Sequence, residues 1–295
     1  MNNIDEQVLF DALGDPDAIS NTVSRRDAFG KVGGWGKGLA LASVPLGLAA
    51  LTREAFAQQT FSDRVVNALN FALTLERLEA EFYSMVVASG VVPQAARGVF
   101  DLITANEIAH RDFLEGLLGS QAARKPQFDF TAGGTLDPFT NYETTLILTQ
   151  GFEDAGVRAY KGQLGALQGN AVALTMGARI HSVEARQASL VRRLRAERVA
   201  PENVERGPWK GWPGQPLVDA QAAPFISAVY AAGQPASMFP SEANTTQAGI
   251  NVATLAAALT GDEAIDNPEV AAQEAFDEPL DLRSILAIAG MFARR

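Results

Sequence analysis

Hydrophobic residues recur with a helical period from Ser62 onwards. In the first segment they occupy Val65, Val66, Leu69, Ala72, Leu73 and Leu75. This spacing puts the apolar side chains on one face and predicts a helix that ends near Gly90. Pro93 suits the first position of a second helix, which extends to about Leu118. Because only a short turn separates the two helices, we expect them to be antiparallel neighbours.

Two further helices are predicted after a long connection. Residues 119–140 are rich in glycine and proline, and a third helix follows from about Tyr142 to Leu167. A short turn then leads into a fourth helix that ends near Val199. A connection of about 22 residues could span the roughly 38 Å length of a 25-residue helix. This order predicts an all-α four-helix bundle with one long crossover, formed within residues 58–200.

The chain after the bundle has a different composition. Its first part, from residue 201, is rich in proline and tryptophan, whereas short helices are predicted near 219–232, 250–260 and 281–293. We expect residues 201–295 to form a partly irregular, helical C-terminal extension that packs on the bundle.

Residues 1–57 are typical of an export signal. Arg25 and Arg26 precede a stretch of Gly, Ala, Leu and Val over residues 32–51, and a small-x-small pattern ends at Ala57. The paired arginines resemble a twin-arginine signal, although the following aromatic residue stands one position later than usual. We therefore expect export by the twin-arginine machinery, cleavage after Ala57, and a location in the periplasm or cell envelope. A retained membrane anchor is the alternative.

Composition excludes several kinds of site. The chain of 295 residues contains no cysteine, which excludes disulfides, thiolate metal sites and thiol catalysis. It has two histidines, so a site built from three histidines cannot form within one chain. The net charge of −10 argues against nucleic acid as the main partner. The sequence is also consistent with a homo-oligomer.

Charged residues interrupt the apolar stripes of all four predicted helices at one repeated offset. Glu76 and Glu153 are 77 residues apart, as are Glu107 and Glu184. The same offset relates two further polar pairs, which are Tyr83 with Tyr160 and His110 with Gln187. Two related hairpins would therefore bring four glutamates to the centre of one bundle.

Four carboxylates buried together would repel one another unless cations neutralised them. Glu107 and His110, three residues apart on one helix face, could hold one ion between them. Oxygen ligands with some imidazole nitrogen favour iron or manganese over a soft metal. We therefore take Glu76, Glu107, His110, Glu153 and Glu184 as candidate metal ligands.

This pattern resembles the ferritin-like superfamily, in which two helices each contribute a Glu and the other two each contribute Glu-x-x-His. The segments 74–83 and 183–186, with the later segment 274–280, are similar to a bacterial branch of desiccation-related proteins. The resemblance implies a carboxylate-held metal centre for two ions. It also implies reaction with peroxide or dioxygen, as in ferritins, rubrerythrins and manganese catalases.

The second hairpin departs from this pattern, because it has Gln187 where a histidine is expected. Gln187 is also a candidate metal ligand, but glutamine offers only a neutral amide oxygen to a metal. His181, one turn before Glu184, could supply the missing nitrogen. An asymmetric pair of ions, a single ion and a site that has lost activity are all left open.

Other polar residues have a supporting role in this hypothesis. Tyr83 and Tyr160 could donate hydrogen bonds to ligand glutamates. Glu79 is either a surface charge or an acceptor behind the ligands. Four arginines at the end of the fourth helix are expected on a solvated face; they are Arg192, Arg193, Arg195 and Arg198.

Two functions are consistent with these features. The first is an exported metal-binding protein that protects against oxidative or desiccation stress, and it leaves open a di-metal oxidoreductase of the ferroxidase or catalase type. The alternative is a non-catalytic stress or structural protein of the cell envelope with a degenerate metal site.

Overall fold

The four long helices lie close to their predicted positions. They are α1 (Asp63–Ser89), α2 (Gln94–Leu118), α3 (Tyr142–Leu167) and α4 (Ala171–Val199). The computed structural model describes residues 61–199, 220–259 and 267–294. The predicted export signal, with Arg25, Arg26 and Ala57, lies outside these ranges, as does the proline- and tryptophan-rich segment.

Local sequence explains where these helices begin and end. Gly90 follows α1 with a φ of 75°, a left-handed conformation that glycine adopts without a Cβ penalty. The Asn141 side chain precedes α3 and accepts hydrogen bonds from the backbone N–H groups of Glu143 and Thr144. These signals depend on nearby residues alone, which is why the sequence predicts the ends of the helices closely.

The helices form two hairpins joined by a crossover. α1 packs along α2, α3 packs along α4, and the hairpins meet mainly through α1 and α3. The connection from Gly119 to Asn141 contains one short 3₁₀ turn, Gly119–Gln121. The prediction of an all-α bundle with one long crossover is therefore confirmed.

The C-terminal extension is mostly helical in its described parts. It contains α5 (Ala223–Tyr230), α6 (Val252–Ala257), α7 (Pro268–Ala275) and α8 (Leu282–Gly290). A small antiparallel pair, β1 (Thr246–Gln247) and β2 (Ile250–Asn251), precedes α6. Three of these helices lie in predicted segments, whereas α7 was not predicted. In the part of the chain that the structure describes, no helix is long and apolar enough to cross a membrane.

Aromatic rings join the extension to the bundle. The Phe152 ring on α3 lies 5.3 Å from Phe225 on α5 and 5.0 Å from Phe292, measured between ring centroids. The crossover joins the same core, because the backbone N–H of Asp129 donates to the Phe292 carbonyl over 2.7 Å. Crossover and extension therefore share one hydrophobic core with α1 and α3.

A buried arginine fastens the extension to α3. Arg158 is 1% exposed, and its guanidinium donates to the carbonyl oxygens of Glu278 and Pro240, each over 3.0 Å. It also pairs with the Glu242 carboxylate at 3.0 Å. Because these partners come from two separated parts of the extension, one side chain holds both parts on the bundle.

The prediction that the arginines ending α4 form a solvated face is wrong for two of them. Arg192 and Arg195 are buried. Arg192 pairs with Asp154 on α3 and, over 2.8 Å, with Asp277 of the extension. Tyr230 on α5 also donates to Asp154. The extension covers this face of α4, and the helical period of α4 alone does not reveal that cover.

Candidate metal centre

Each helix of the bundle contributes one glutamate to its centre. Glu76 lies on α1, Glu107 on α2, Glu153 on α3 and Glu184 on α4, and none of the four is exposed to solvent. Their positions interrupt otherwise apolar helix faces, so the packing that buries those faces also buries the carboxylates. The four glutamates that the 77-residue offset relates in the sequence therefore lie together in the structure.

His110 on α2 lies among three of these carboxylates. Its Nδ1 atom is 3.2 Å from Glu107 Oε2, 3.3 Å from Glu76 Oε2 and 3.5 Å from Glu184 Oε1. One ligand atom from each of these four residues lies within 4.8 Å of the others. Such a set of three carboxylates and one imidazole could hold a single metal ion.

His110 and Glu107 affect each other's protonation. Burial alone would lower the pKa of His110, but the charges of Glu107 and Glu76 outweigh burial and raise that pKa well above its usual value. Burial alone would raise the pKa of Glu107, but the charge of His110 and hydrogen bonds with His110, Glu76 and Gln187 together leave that pKa lowered. In the absence of metal, a proton on His110 therefore supplies positive charge to the cluster.

Three carboxylate oxygens of the cluster accept no hydrogen bond. Glu76 Oε2 and both carboxylate oxygens of Glu184 are buried and accept no hydrogen bond from the protein. A buried carboxylate oxygen without a partner costs free energy, which a bound cation would recover. The cluster fits a divalent metal ion on this ground.

The opposite side of the cluster is fully hydrogen-bonded. Tyr83 donates to Glu153 Oε1, and the amide of Gln187 donates to Glu153 Oε2 over 3.1 Å. The same amide nitrogen donates to Glu107 Oε1. Asn106, buried beside it, donates to the Gln187 carbonyl oxygen over 2.7 Å. Glu153 contributes no atom to the group of four ligand atoms.

The two tyrosines have equivalent contacts across the bundle. Tyr83 on α1 donates to Glu153 on α3, and Tyr160 on α3 donates to Glu76 on α1. Burial, together with the adjacent carboxylates, raises the pKa of both phenols well above the usual value. Both side chains therefore remain protonated donors at neutral pH.

Burial dominates the protonation of the remaining carboxyls. It raises the pKa of Glu76 to about 7, although His110 opposes the shift. The pKa values of Glu79, Glu153 and Glu184 are raised well above the usual range, first by burial and then by neighbouring carboxylates. Metal-free protein therefore retains protons on this cluster, and a metal ion would compete with them.

Glu79 is buried and lies beside the cluster, so the surface-charge alternative for it is wrong. Between it and Glu184 stands Gly156 on α3. A Cβ at position 156 would overlap with Glu184 Oε2 and would lie 3.4 Å from Glu79 Oε1. Any residue with a Cβ at this position would therefore force the Glu184 carboxylate to shift.

The structure does not bring His181 to the cluster. Its ring is partly buried. Burial and the charge of Lys161 lower the pKa of His181, although the charge of Asp277 in the extension acts to raise it. It contributes no atom to the group of four ligand atoms. The nitrogen that the second hairpin lacks is therefore not supplied by His181.

Sequence reasoning missed two residues of this centre, Asn106 and Gly156. The 77-residue offset cannot find Asn106, because the equivalent position is Val183. The only signal in the sequence is an asparagine directly before Glu107 on a predicted helix. Nothing in the local sequence distinguishes Gly156 from the other glycines of α3.

Residues 64–197 match a family model described as a ferritin-like domain. This match covers the whole bundle and supports its place in the ferritin-like superfamily. No curated protein matches the chain at a significant level. The ferritin-like bundle and its buried cluster of three glutamates and one histidine together fit a metal site.

Proposed function

We propose that this is an exported ferritin-like protein that binds iron or manganese in the core of its bundle. The observation that carries the proposal is that Glu76 Oε2 and Glu184 Oε1, which accept no hydrogen bond, lie 3.3 and 3.5 Å from the Nδ1 atom of His110. In a core closed to water, a divalent cation is the partner that satisfies all of these atoms.

The donor set supports the choice of metal. Three carboxylates and one imidazole suit iron or manganese better than a soft metal. When bound, either metal would supply redox chemistry with peroxide or dioxygen. The protein would hold Glu76 in position through the hydroxyl of Tyr160 and keep bulk water away with the surrounding apolar side chains.

Export to the periplasm or cell envelope, and a role in oxidative or desiccation stress, are further parts of this proposal. The signal-like residues 1–57 support export, and the resemblance to desiccation-related proteins supports the role. A folded-protein export route would suit a metal that is loaded before translocation. The alternative, a non-catalytic envelope protein with a degenerate site, predicts neither bound metal nor redox activity.

The test is metal analysis of protein that is purified without added metal. We expect stoichiometric iron or manganese in the unmodified protein and its loss in Glu184→Gln, which weakens the ligand but preserves its shape. Glu81→Gln is the matched control, because Glu81 on the same bundle pairs with Lys125 away from the cluster. Absence of metal from the unmodified protein after incubation with iron and manganese would refute metal binding.

A further inference from the structure

The amide of Gln187 lies between two carboxylates of the bundle core. Its nitrogen donates to Glu107 Oε1 and, over 3.1 Å, to Glu153 Oε2. Its carbonyl oxygen accepts from Asn106 over 2.7 Å. Because an asparagine NH₂ group can only donate, this contact turns the Gln187 NH₂ group towards the carboxylates. Asn106 and the two carboxylates together therefore orient this amide.

This arrangement divides the core into two unequal halves. In the half that contains His110 and Glu184, three oxygens accept no hydrogen bond; they are Glu76 Oε2 and both carboxylate oxygens of Glu184. In the other half, Glu153 receives one hydrogen bond on each oxygen, from Tyr83 and from Gln187. The protein thus supplies donors to the Glu153 carboxylate in one half, whereas three carboxylate oxygens in the other half receive none.

The 77-residue offset makes Gln187 the counterpart of His110. One hairpin therefore places an imidazole nitrogen beside Glu76 Oε2 and Glu184 Oε1, which accept no hydrogen bond, whereas the other places an amide NH₂ group against Glu107 and Glu153. An NH₂ group carries hydrogen atoms and no lone pair for a metal. A second ion between these carboxylates would have to displace it and break its hydrogen bonds.

We infer that the centre holds one metal ion rather than two, and that Asn106 and Gln187 together determine this number. The inference rests on the proposed metal-binding function and specifies its stoichiometry. Glu76, Glu107, His110 and Glu184 are the residues that would hold the ion. Glu153 belongs to the hydrogen-bonded half and is not a ligand.

Native mass spectrometry of protein saturated with Mn²⁺ tests the inference, with electron paramagnetic resonance on the same samples. We expect one ion per chain and the signal of an isolated Mn²⁺ in the unmodified protein. Gln187→His should bind two ions and show a spin-coupled pair. Gln168→His is the matched control, because it adds a histidine at an exposed position after α3, and it should still bind one ion.

A second variant covers the case in which Gln187→His does not fold. Gln187→Ala removes the amide from Glu107 and Glu153, and it too should raise the number of bound ions from one to two. If both folded variants still bind one ion, the inference is wrong. If the unmodified protein binds two ions, the inference fails while the proposed function stands. If it binds none, the proposed function itself fails.

Discussion

The phenol of Tyr160 donates a hydrogen bond to Oε1 of Glu76 from the opposite hairpin. That contact occupies one oxygen of the carboxylate and leaves Oε2 directed at His110, 3.3 Å from its Nδ1 atom. The position and orientation of this candidate metal ligand thus depend on a side chain that lies outside the group of four ligand atoms. Such supporting contacts commonly influence metal affinity as strongly as some ligands do.

Replacing this tyrosine should weaken metal binding without unfolding the bundle. We expect Tyr160→Phe to reduce Mn²⁺ affinity by about ten-fold, because Glu76 loses the donor that orients it. Competition with a chelator measures the change. Tyr83→Phe is the matched control, since Tyr83 serves Glu153 in the hydrogen-bonded half. Equal losses in the two variants would contradict the proposed difference between Glu76 and Glu153.

The glycine beside Glu184 gives a steric test of the same centre. Gly156→Ala should weaken metal binding about ten-fold or more, because the new methyl group would overlap with Glu184 Oε2. Gly165→Ala lies on the same helix with nothing within 4 Å of the added carbon. This control should retain metal and gain up to about 1 kcal/mol of stability. Unchanged affinity in Gly156→Ala would contradict the requirement for this position of the Glu184 carboxylate.

The metal-free protein should become less stable as the pH rises from about 4.5 to about 7. Burial raises the pKa of Glu76 from 4.5 to about 7, so in this interval the folded state holds a proton that the unfolded chain has lost. Folding is therefore linked to proton uptake, and stability decreases with pH. The raised pKa values of Glu153 and Glu184 act in the same direction.

Metal should oppose this pH effect, because it competes with the protons on the same carboxylates. Thermal unfolding of metal-free and Mn²⁺-saturated protein, measured from pH 5 to pH 8, checks both statements. The difference between the two unfolding temperatures should grow with pH. An unfolding temperature of the metal-free protein that increases steadily over this range would contradict the expected linkage.

The C-terminal extension should depend on Arg158. Arg158→Met removes the cation that pairs with the buried Glu242 and the donor of several buried carbonyl oxygens. We expect a loss of about 3–5 kcal/mol in the free energy of unfolding, measured with urea. Arg97→Met is the control, because Arg97 pairs with Asp101 on the surface, and it should lose less than about 1 kcal/mol. Similar losses in both variants would contradict the role of Arg158.

Export has its own test, which does not depend on the metal centre. Changing Arg25 and Arg26 together to lysine should retain the precursor in the cytoplasm, because the paired guanidinium groups are what a twin-arginine receptor recognises. Cell fractionation with N-terminal sequencing of the mature protein measures this. Normal appearance of a mature chain that begins near Gln58 in the double variant would exclude the twin-arginine route.

The sequence by itself determined the four long helices and the four central glutamates. Helix ends follow from residues next to them, as at Gly90 and Asn141, so they can be inferred from a short stretch of chain. The glutamates were recognisable because each interrupts an apolar stripe, and the shared offset relates Glu76 to Glu153 and Glu107 to Glu184. These features require helical periodicity but no knowledge of how the helices pack.

Only the tertiary structure decided which oxygen atoms have donors. Spacing along a helix indicates the face on which Glu184 or His181 lies, but a contact of 3 Å depends on how each helix is rotated and which rotamer its side chain adopts. For that reason only the structure shows that His181 lies near Lys161 and that Asn106 contacts the Gln187 amide. It also shows that the C-terminal extension buries Arg192, which the helical period of α4 does not predict. Contacts between helices therefore decide which half of the core is hydrogen-bonded and which half has carboxylate oxygens without donors.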